Sequence, residues 1–349
     1  MQTGNAPKVK RDHGFHPLRV VRVVPETSDA SSIVLEVPEE LKATYEYRAG
    51  QFLTFRFRID DKVVTRSYSM SSSPDADDHL QVTVKRIAGG LVSNWVNDNV
   101  KAGDVVEASA PAGLFTLTAG QGDVVLFGAG SGITPVFSLL KTTLATTSRK
   151  VQLLYGNRDT ESTIFRDRIE QLVSSSTGRA QVEHHLEVDK GFVDAEVVSR
   201  FVTGETDTDY YICGPSEFMD VVEFALVKAG VDSRQIHIER FLPAEQQPPV
   251  DGGELPEASG RTVEIDLYGT VVSGPQRGDA TILMTARSLD IQPPYGCEAG
   301  NCGSCMAMLT EGDVTMHVND ALTDEEVEEG WVLTCQAVPT TPCVKVVFE

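Results

Sequence analysis

Long apolar runs are missing from this 349-residue chain: no stretch of about 18 apolar residues occurs, which excludes a membrane-spanning helix. Met1 to Lys10 (MQTGNAPKVK) also lacks the apolar core of a secretory signal. A cytoplasmic protein with no membrane insertion is expected. Basic residues are scarce, 30 Lys and Arg against 51 Asp and Glu, for a formal charge of −21. Such a chain repels a phosphate backbone, which argues against nucleic-acid binding. No internal repeat is present. Nor is there a C-x-H pair of the kind that replaces thiolates in a Rieske centre. His184 and His185 are adjacent, fall on opposite faces of a strand and do not readily share a metal. Any oxygen-activating iron must then belong to another polypeptide.

What the chain does have, near its C-terminus, is Cys297, Cys302, Cys305 and Cys335, spaced C-x4-C-x2-C with a distant fourth. Thiolates at that spacing fit a plant-type [2Fe–2S] loop, in which three ligands wrap one side of the cluster and the fourth arrives from elsewhere. The local run Y-G-C-E-A-G-N-C-G-S-C places Gly296, Gly300 and Gly303 where a loop must curl with its amides toward the sulfides. A tetrahedral zinc site, which usually pairs two C-x2-C units, and a disulfide framework are the competing readings. Cys213 and Cys343 fall outside the pattern, and Cys343 is expected to be a small core residue. Cysteines committed to iron also fit a reducing compartment.

Length implies two or three domains on a prior of about 150 residues each. From Pro17 to Ala110 the pattern is alternating and β-branched, with strands expected at Leu18–Val24, Ser32–Val37, Gln51–Ile59 and Leu80–Lys85; this reads as an antiparallel barrel. At Asp123 the pattern changes. The run VVLF leads into G-A-G-S-G-I-T-P and a helix over Val136–Ala145. Strands at Val151–Tyr155, Gln181–Glu187 and Tyr210–Cys213 then alternate with helices near Ile164–Ser174 and Phe218–Lys228, the last closed by Gly230. That alternation is a parallel α/β sheet. Pro243 to Gly260, rich in Pro, Gly and Glu, reads as a linker. The expected division is 1–117, 118–242, linker 243–260, and 261–349. The last segment carries 14 acidic against four basic residues. Asp324, Glu325, Glu326, Glu328 and Glu329 there either form a solvated surface or steer a basic redox partner.

The loop Gly128 to Pro135 follows a strand and opens a helix, with Pro135 suited to the first helical position. Its glycines let the backbone approach a pyrophosphate, and the helix N-terminus offers free amides, although a purely structural β–α turn has the same composition. Arg66-Ser67-Tyr68-Ser69, expected at the start of a strand, combines an Arg for phosphate, a Tyr to pack on a flavin and a Ser hydroxyl for its N5. Lys85 to Trp95 adds a strand end, a Gly pair and a helix start suited to pyrophosphate. An exposed strand end and a turn would account for either stretch alone.

Taken with the order of the segments, these motifs resemble the ferredoxin–NAD(P)+ reductase superfamily, in its oxygenase-reductase branch with a C-terminal plant-type ferredoxin domain. The resemblance covers nearly the whole chain. It implies an antiparallel β-barrel FAD domain, an α/β parallel-sheet nicotinamide domain and an α+β β-grasp ferredoxin domain. By resemblance, Arg66, Tyr68 and Ser69 form the R-x-Y-S flavin motif, with Ser67 at its variable position. Lys85, Gly90, Leu91, Val92 and Ser93 belong to the FAD pyrophosphate segment. Gly130, Ser131, Gly132, Thr134 and Pro135 form the nicotinamide pyrophosphate loop. Cys213-Gly214-Pro215 matches the C-G-P motif, whose Cys sits near nicotinamide C4, and Ile236 to Phe241 resembles the segment bringing Glu239 and Phe241 close to the flavin. Ser69, Cys213 and Glu239 are the implied catalytic residues.

The implied activity is transfer of electrons from NAD(P)H through FAD, the two-to-one converter, and a [2Fe–2S] cluster to a terminal oxygenase of the ring or steroid hydroxylase type. Service to a desaturase or a cytochrome is the alternative. After the second α/β strand, Arg158 suits a 2′-phosphate and Asp159 a ribose hydroxyl, so the residues leave NADH and NADPH both open. The resemblance favours NADH.

Overall fold

The computed structural model describes residues 14–348 apart from 61, 205, 206, 242–256, 292, 296, 297, 299, 301, 302 and 320. Gly296, Cys297, Cys302 and most of the expected linker therefore lie outside the described residues. Among the described residues no helix is long and apolar enough to cross a membrane.

Alternation of apolar and polar residues produces the first sheet. Strands β1 (Phe15–Thr27), β2 (Ala30–Glu36), β3 (Phe52–Ile59), β4 (Lys62–Ser69), β5 (Leu80–Lys85) and β6 (Val105–Ser109) pair antiparallel in the order β4-β3-β6-β1-β2-β5. A bridge between Met70 and Val82 joins the two edges and closes the barrel. Leu18, Val20, Ile33, Leu35, Leu53, Phe55 and Val82 fill its interior, and helix α1 (Leu91–Asn99) adds Val92 and Val96. Arg66 to Ser69 end β4 rather than begin a strand. The apolar run that opens this strand, Val63 and Val64, precedes the motif.

The second unit is a five-stranded parallel sheet: β7 (Val124–Ala129), β8 (Val151–Asn157), β9 (Ala180–Leu186), β10 (Asp209–Gly214) and β11 (Ile236–Arg240), in the order β11-β10-β7-β8-β9. Helices α2 (Ile133–Thr146), α3 (Arg166–Ser175), α4 (Glu187–Lys190), α5 (Ala195–Ser199) and α6 (Ser216–Lys228) connect and cover the strands. All six residues of β7 and of β10 are buried, as expected for central parallel strands covered on both faces. Pro135 is the third residue of α2, because a tight turn over Gly130–Gly132 starts the helix at Ile133. Its missing N–H is still one of the first-turn amides that need no intrahelical partner. Gly230, at φ +84°, ends α6 as expected, and the Val231 amide reaches back to the Leu226 carbonyl.

The third unit is built from β12 (Ala258–Leu267), β13 (Thr270–Arg277), β14 (Met306–Glu311), β15 (Val314–Met316), β16 (Trp331–Leu333), β17 (Ala337–Pro339) and β18 (Cys343–Phe348). Its main sheet runs β13-β12-β18-β14-β16, with β12 and β18 parallel at the centre and helix α7 (Ile282–Ser288) packed across it, a β-grasp arrangement. β12 begins at Ala258, within the segment read as linker. Cys343 is exposed at the start of β18, not in the core as expected. The acidic run forms α8 (Asp324–Glu328), where Thr323 and Glu326 make a reciprocal capping box and Glu326 is buried. That residue is committed to the helix start, so neither surface reading of the run includes it.

Candidate functional site

The chain order of the parallel sheet reverses between β7 and β10, and a crevice forms outside the carboxyl ends of strands at such a point. There, where the sheet meets the barrel, lies a cleft of about 340 Å³. The barrel contributes Arg66 to Ser69 from β4 and Lys85 from β5, with Gly90 to Ser93 from the turn into α1. The α/β unit contributes Ser131 and Thr134 from the start of α2, Gly214 and Pro215 from the end of β10, and Phe241. Residues from five separate sequence motifs thus meet in one space.

Three helices, α1, α2 and α6, begin at this cleft, and among the described residues none has a side-chain cap at its N-terminus. Their first-turn amides and positive dipole ends converge on a volume that suits anionic phosphate. The turn before α1 is fixed by Ser93, whose Oγ accepts from the Ile87 amide at 3.1 Å, and by Asn94, whose side chain donates to the Gly90 carbonyl at 2.6 Å. A side chain at Gly132 would put Cβ 2.2 Å from the Cys213 carbonyl oxygen, so only glycine lets α2 start this close to β10.

Ser69 is 2% exposed, lines the cleft, and its hydroxyl has no hydrogen-bond partner among the described residues. A buried orphan hydroxyl is costly unless something bonds it. A flavin ring, which offers nitrogen and oxygen partners along its edge, suits that hydroxyl. Burial raises the Tyr68 hydroxyl well above its ordinary pKa, so the ring is a neutral, flat wall.

Of the residues expected at the site, Gly130, Gly132, Pro135, Cys213 and Glu239 are not among those lining the cleft. Cys213 is fully buried behind Gly214 and Pro215; burial, then the Glu239 carboxylate, raise its thiol well above the ordinary value. Cys213 and Glu239 are register partners on β10 and β11. Thr83, Ser216 and Glu217 line the cleft and were not singled out from sequence. The signals available were the alternation along β5, two residues before Lys85, and the position directly after Cys213-Gly214-Pro215.

In the third unit Cys305 and Cys335 lie in one buried cluster with Leu283, Leu322, Trp331 and Leu333. Thr334 ties the Cys305 and Cys335 segments together: its amide and its hydroxyl donate to the Cys305 carbonyl at 3.1 and 2.8 Å. Gly300 (φ +83°) takes a left-handed turn, and a Cβ there would lie 2.7 Å from the Val318 carbonyl oxygen. The described part of the loop fits a cluster held by thiolates in a tight glycine-bearing turn.

Three family models cover the chain in series: an oxidoreductase FAD-binding domain over residues 17–117, an oxidoreductase NAD-binding domain over 126–223, and a 2Fe-2S iron-sulfur cluster binding domain over 269–340. The ferredoxin reductase component of 3-ketosteroid-9-alpha-monooxygenase from Rhodococcus rhodochrous is 41% identical over 339 residues, 95% of this chain and 96% of that protein. The chain belongs to the ferredoxin–NAD(P)+ reductase superfamily, in the branch of oxygenase reductase components. One component of the 1,2-phenylacetyl-CoA epoxidase of Escherichia coli is 32% identical to this reductase, over 96% of the chain and 98% of the relative. Phthalate dioxygenase reductase shares the fold, with a TM-score of 0.59 at 24% identity over 96% of this chain and 98% of that one. FAD, a nicotinamide dinucleotide and a [2Fe–2S] cluster are the cofactors of this reductase.

Proposed function

We propose that this reductase draws electrons from NADH at the cleft between barrel and α/β sheet and delivers them to a terminal oxygenase acting on a steroid or another apolar ring substrate. The observation that carries the reading is the convergence of Arg66 to Ser69, Gly90 to Ser93, the start of α2 and Gly214-Pro215 around the unpartnered Ser69 hydroxyl. Held there, FAD would supply hydride acceptance and two-to-one electron conversion, and the cluster single-electron transfer. Ser69 hydrogen-bonds the flavin ring and Tyr68 packs on it. Arg66, with Lys85 and the first-turn amides of α1, holds the FAD pyrophosphate. Ser131, Thr134 and the α2 amides hold that of the nicotinamide dinucleotide. Cys213, kept as a neutral thiol, and Glu239 beside it lie behind Gly214 and Pro215 and position that strand end, which forms the wall for the nicotinamide. Phe241 closes the apolar side and excludes water. Cys297, Cys302, Cys305 and Cys335 hold the cluster.

NADH is favoured over NADPH by the turn after β8. Arg158 donates from Nε to Asp159 at 2.8 Å, and hydrogen bonds from Arg158 and Ser162 hold the Asp159 carboxyl at about 2. The Arg158 guanidinium is drawn toward its neighbour, and a permanent carboxylate, suited to a ribose hydroxyl, stands beside it. The proposed division assigns one cofactor to each of 1–117, 118–242 and 261–349. A cytoplasmic setting belongs to the same proposal, since iron-bound thiolates call for a reducing compartment.

Cys335→Ser tests the modularity. It should abolish the cluster spectrum and reduction of one-electron protein acceptors, while NADH-dependent ferricyanide reduction stays within about twofold of wild type. Loss of both activities in a folded, FAD-replete variant would sink the assignment.

A further inference from the structure

Glu298 lies between the first and second cysteines of the loop at φ +51°, a left-handed conformation that glycine adopts freely and a glutamate does not. A side chain kept at such a position points to a use for its carboxylate. Arg287, in the last turn of α7, meets it in a fork: Nη1 and Nη2 donate to Oε2 and Oε1, each at 2.7 Å. The guanidinium carbon itself lies over the Tyr295 ring, 4.4 Å from its centroid. From the other side Gln336 donates through Nε2 to the Glu298 carbonyl at 2.7 Å and to Cys335 Sγ at 3.6 Å. The two amide hydrogens suffice for both bonds. The Leu283 amide, also on α7, donates to the Thr334 carbonyl at 2.9 Å. Helix, loop and distant ligand are therefore joined in one circuit.

We infer that Arg287, Glu298 and Gln336 are positioning residues of the cluster site, which brace the ligand loop and set the reduction potential of the cluster. The inference rests on the reading of the four cysteines as its ligands. Reduction adds one electron, and so one negative charge, to the cluster and its thiolates. The Gln336 amide donating to Cys335 stabilises that charge and raises the potential. The Glu298 carboxylate cancels the Arg287 cation; without it, the uncompensated charge would favour reduction further.

The two bonds predict shifts of opposite sign in the full-length, cofactor-replete protein. In an anaerobic redox titration followed by electron paramagnetic resonance, Gln336→Leu should make the cluster about tenfold harder to reduce at a fixed potential, and Glu298→Gly about tenfold easier. Glu298→Gly relieves the backbone strain, so a residue that only shaped the turn would leave potential and spectrum as in wild type. Loss of iron from either variant, with FAD retained stoichiometrically, would also support the bracing role. Unchanged midpoints in both variants, or shifts in the same direction, would overturn the inference. Absence of a [2Fe–2S] signal from the wild-type protein would instead overturn the reading of the cysteines.

Discussion

A hydroxyl buried without a partner costs a folded chain about 1–3 kcal/mol, and Ser69 carries that cost in the cleft wall. Ser69→Ala should therefore leave the flavin-free protein as stable as wild type or about 1 kcal/mol more so, while slowing flavin reduction by NADH at least tenfold. Differential scanning calorimetry of the apoprotein and stopped-flow absorbance of the holoprotein read the two effects separately. Asp209 shows the opposite economy. Burial alone would raise its pKa, but hydrogen bonds from His237, Thr118 and Arg149, with Arg149 Nη2 at 2.5 Å, hold it at about 2. Because the folded value lies below the ordinary 3.8, this carboxylate adds about 2 kcal/mol above pH 4. The contribution disappears as the pH falls through about 2. Asp209→Asn should lose this acid sensitivity over pH 4 to 2 in urea unfolding, and be less stable at neutral pH. The motif around Ser69 was legible from residue types. Its burial without a partner was not, since that depends on β4, β5 and α2 meeting. The Asp209 network joins residues 118, 149, 209 and 237, and no local pattern announces it.

Helix α2 shows what an element contributes. Its N-terminus can approach β10 only because Gly132 has no side chain, with the Cys213 carbonyl 2.2 Å from where a Cβ would stand. Gly132→Ala should displace that helix start, destabilise the protein by about 1–3 kcal/mol and weaken binding of NADH more than of FAD. Fluorescence titration with NAD+ and quantification of retained FAD check this. Strands β1, β2, β3, β5 and β7 to β10, with helices α2, α3 and α6, were legible because their apolar patterns are clean, whereas the short β6, α4 and α5 were not read. Their ends were less so. Pro135 falls later in its helix than expected, since a 3-10 turn precedes it, and β11 is a half-buried edge strand of five residues whose pattern is too short to separate from a loop. The acidic run read as pure surface hides a capping box, because Thr323 and Glu326 satisfy each other's backbone only once α8 forms.

At the scale of the whole molecule the order flavin, nicotinamide, cluster was readable from motifs alone, while the way the units meet was not. The ferredoxin unit contacts the barrel through Arg56, whose guanidinium lies 4.5 Å from the Phe15 ring and 5.1 Å from that of Tyr268, and which Glu107 holds with two hydrogen bonds. None of these residues belongs to a motif, and nothing in the spacing of 15, 56 and 268 suggests that they touch. The contact places the loop residues Gly303 and Ser304 against Ser109 to Ala112 of the barrel, around a cavity of about 80 Å³. On the proposed route, electrons entering at the cleft would find the cysteine loop held against the same barrel. The most direct test is an anaerobic titration of the purified protein with NADH, following flavin and iron–sulfur absorbance together. Bleaching of both chromophores by near-stoichiometric NADH, at concentrations where NADPH bleaches neither, is the predicted result. Flavin bleaching with the iron–sulfur absorbance unchanged would contradict the account.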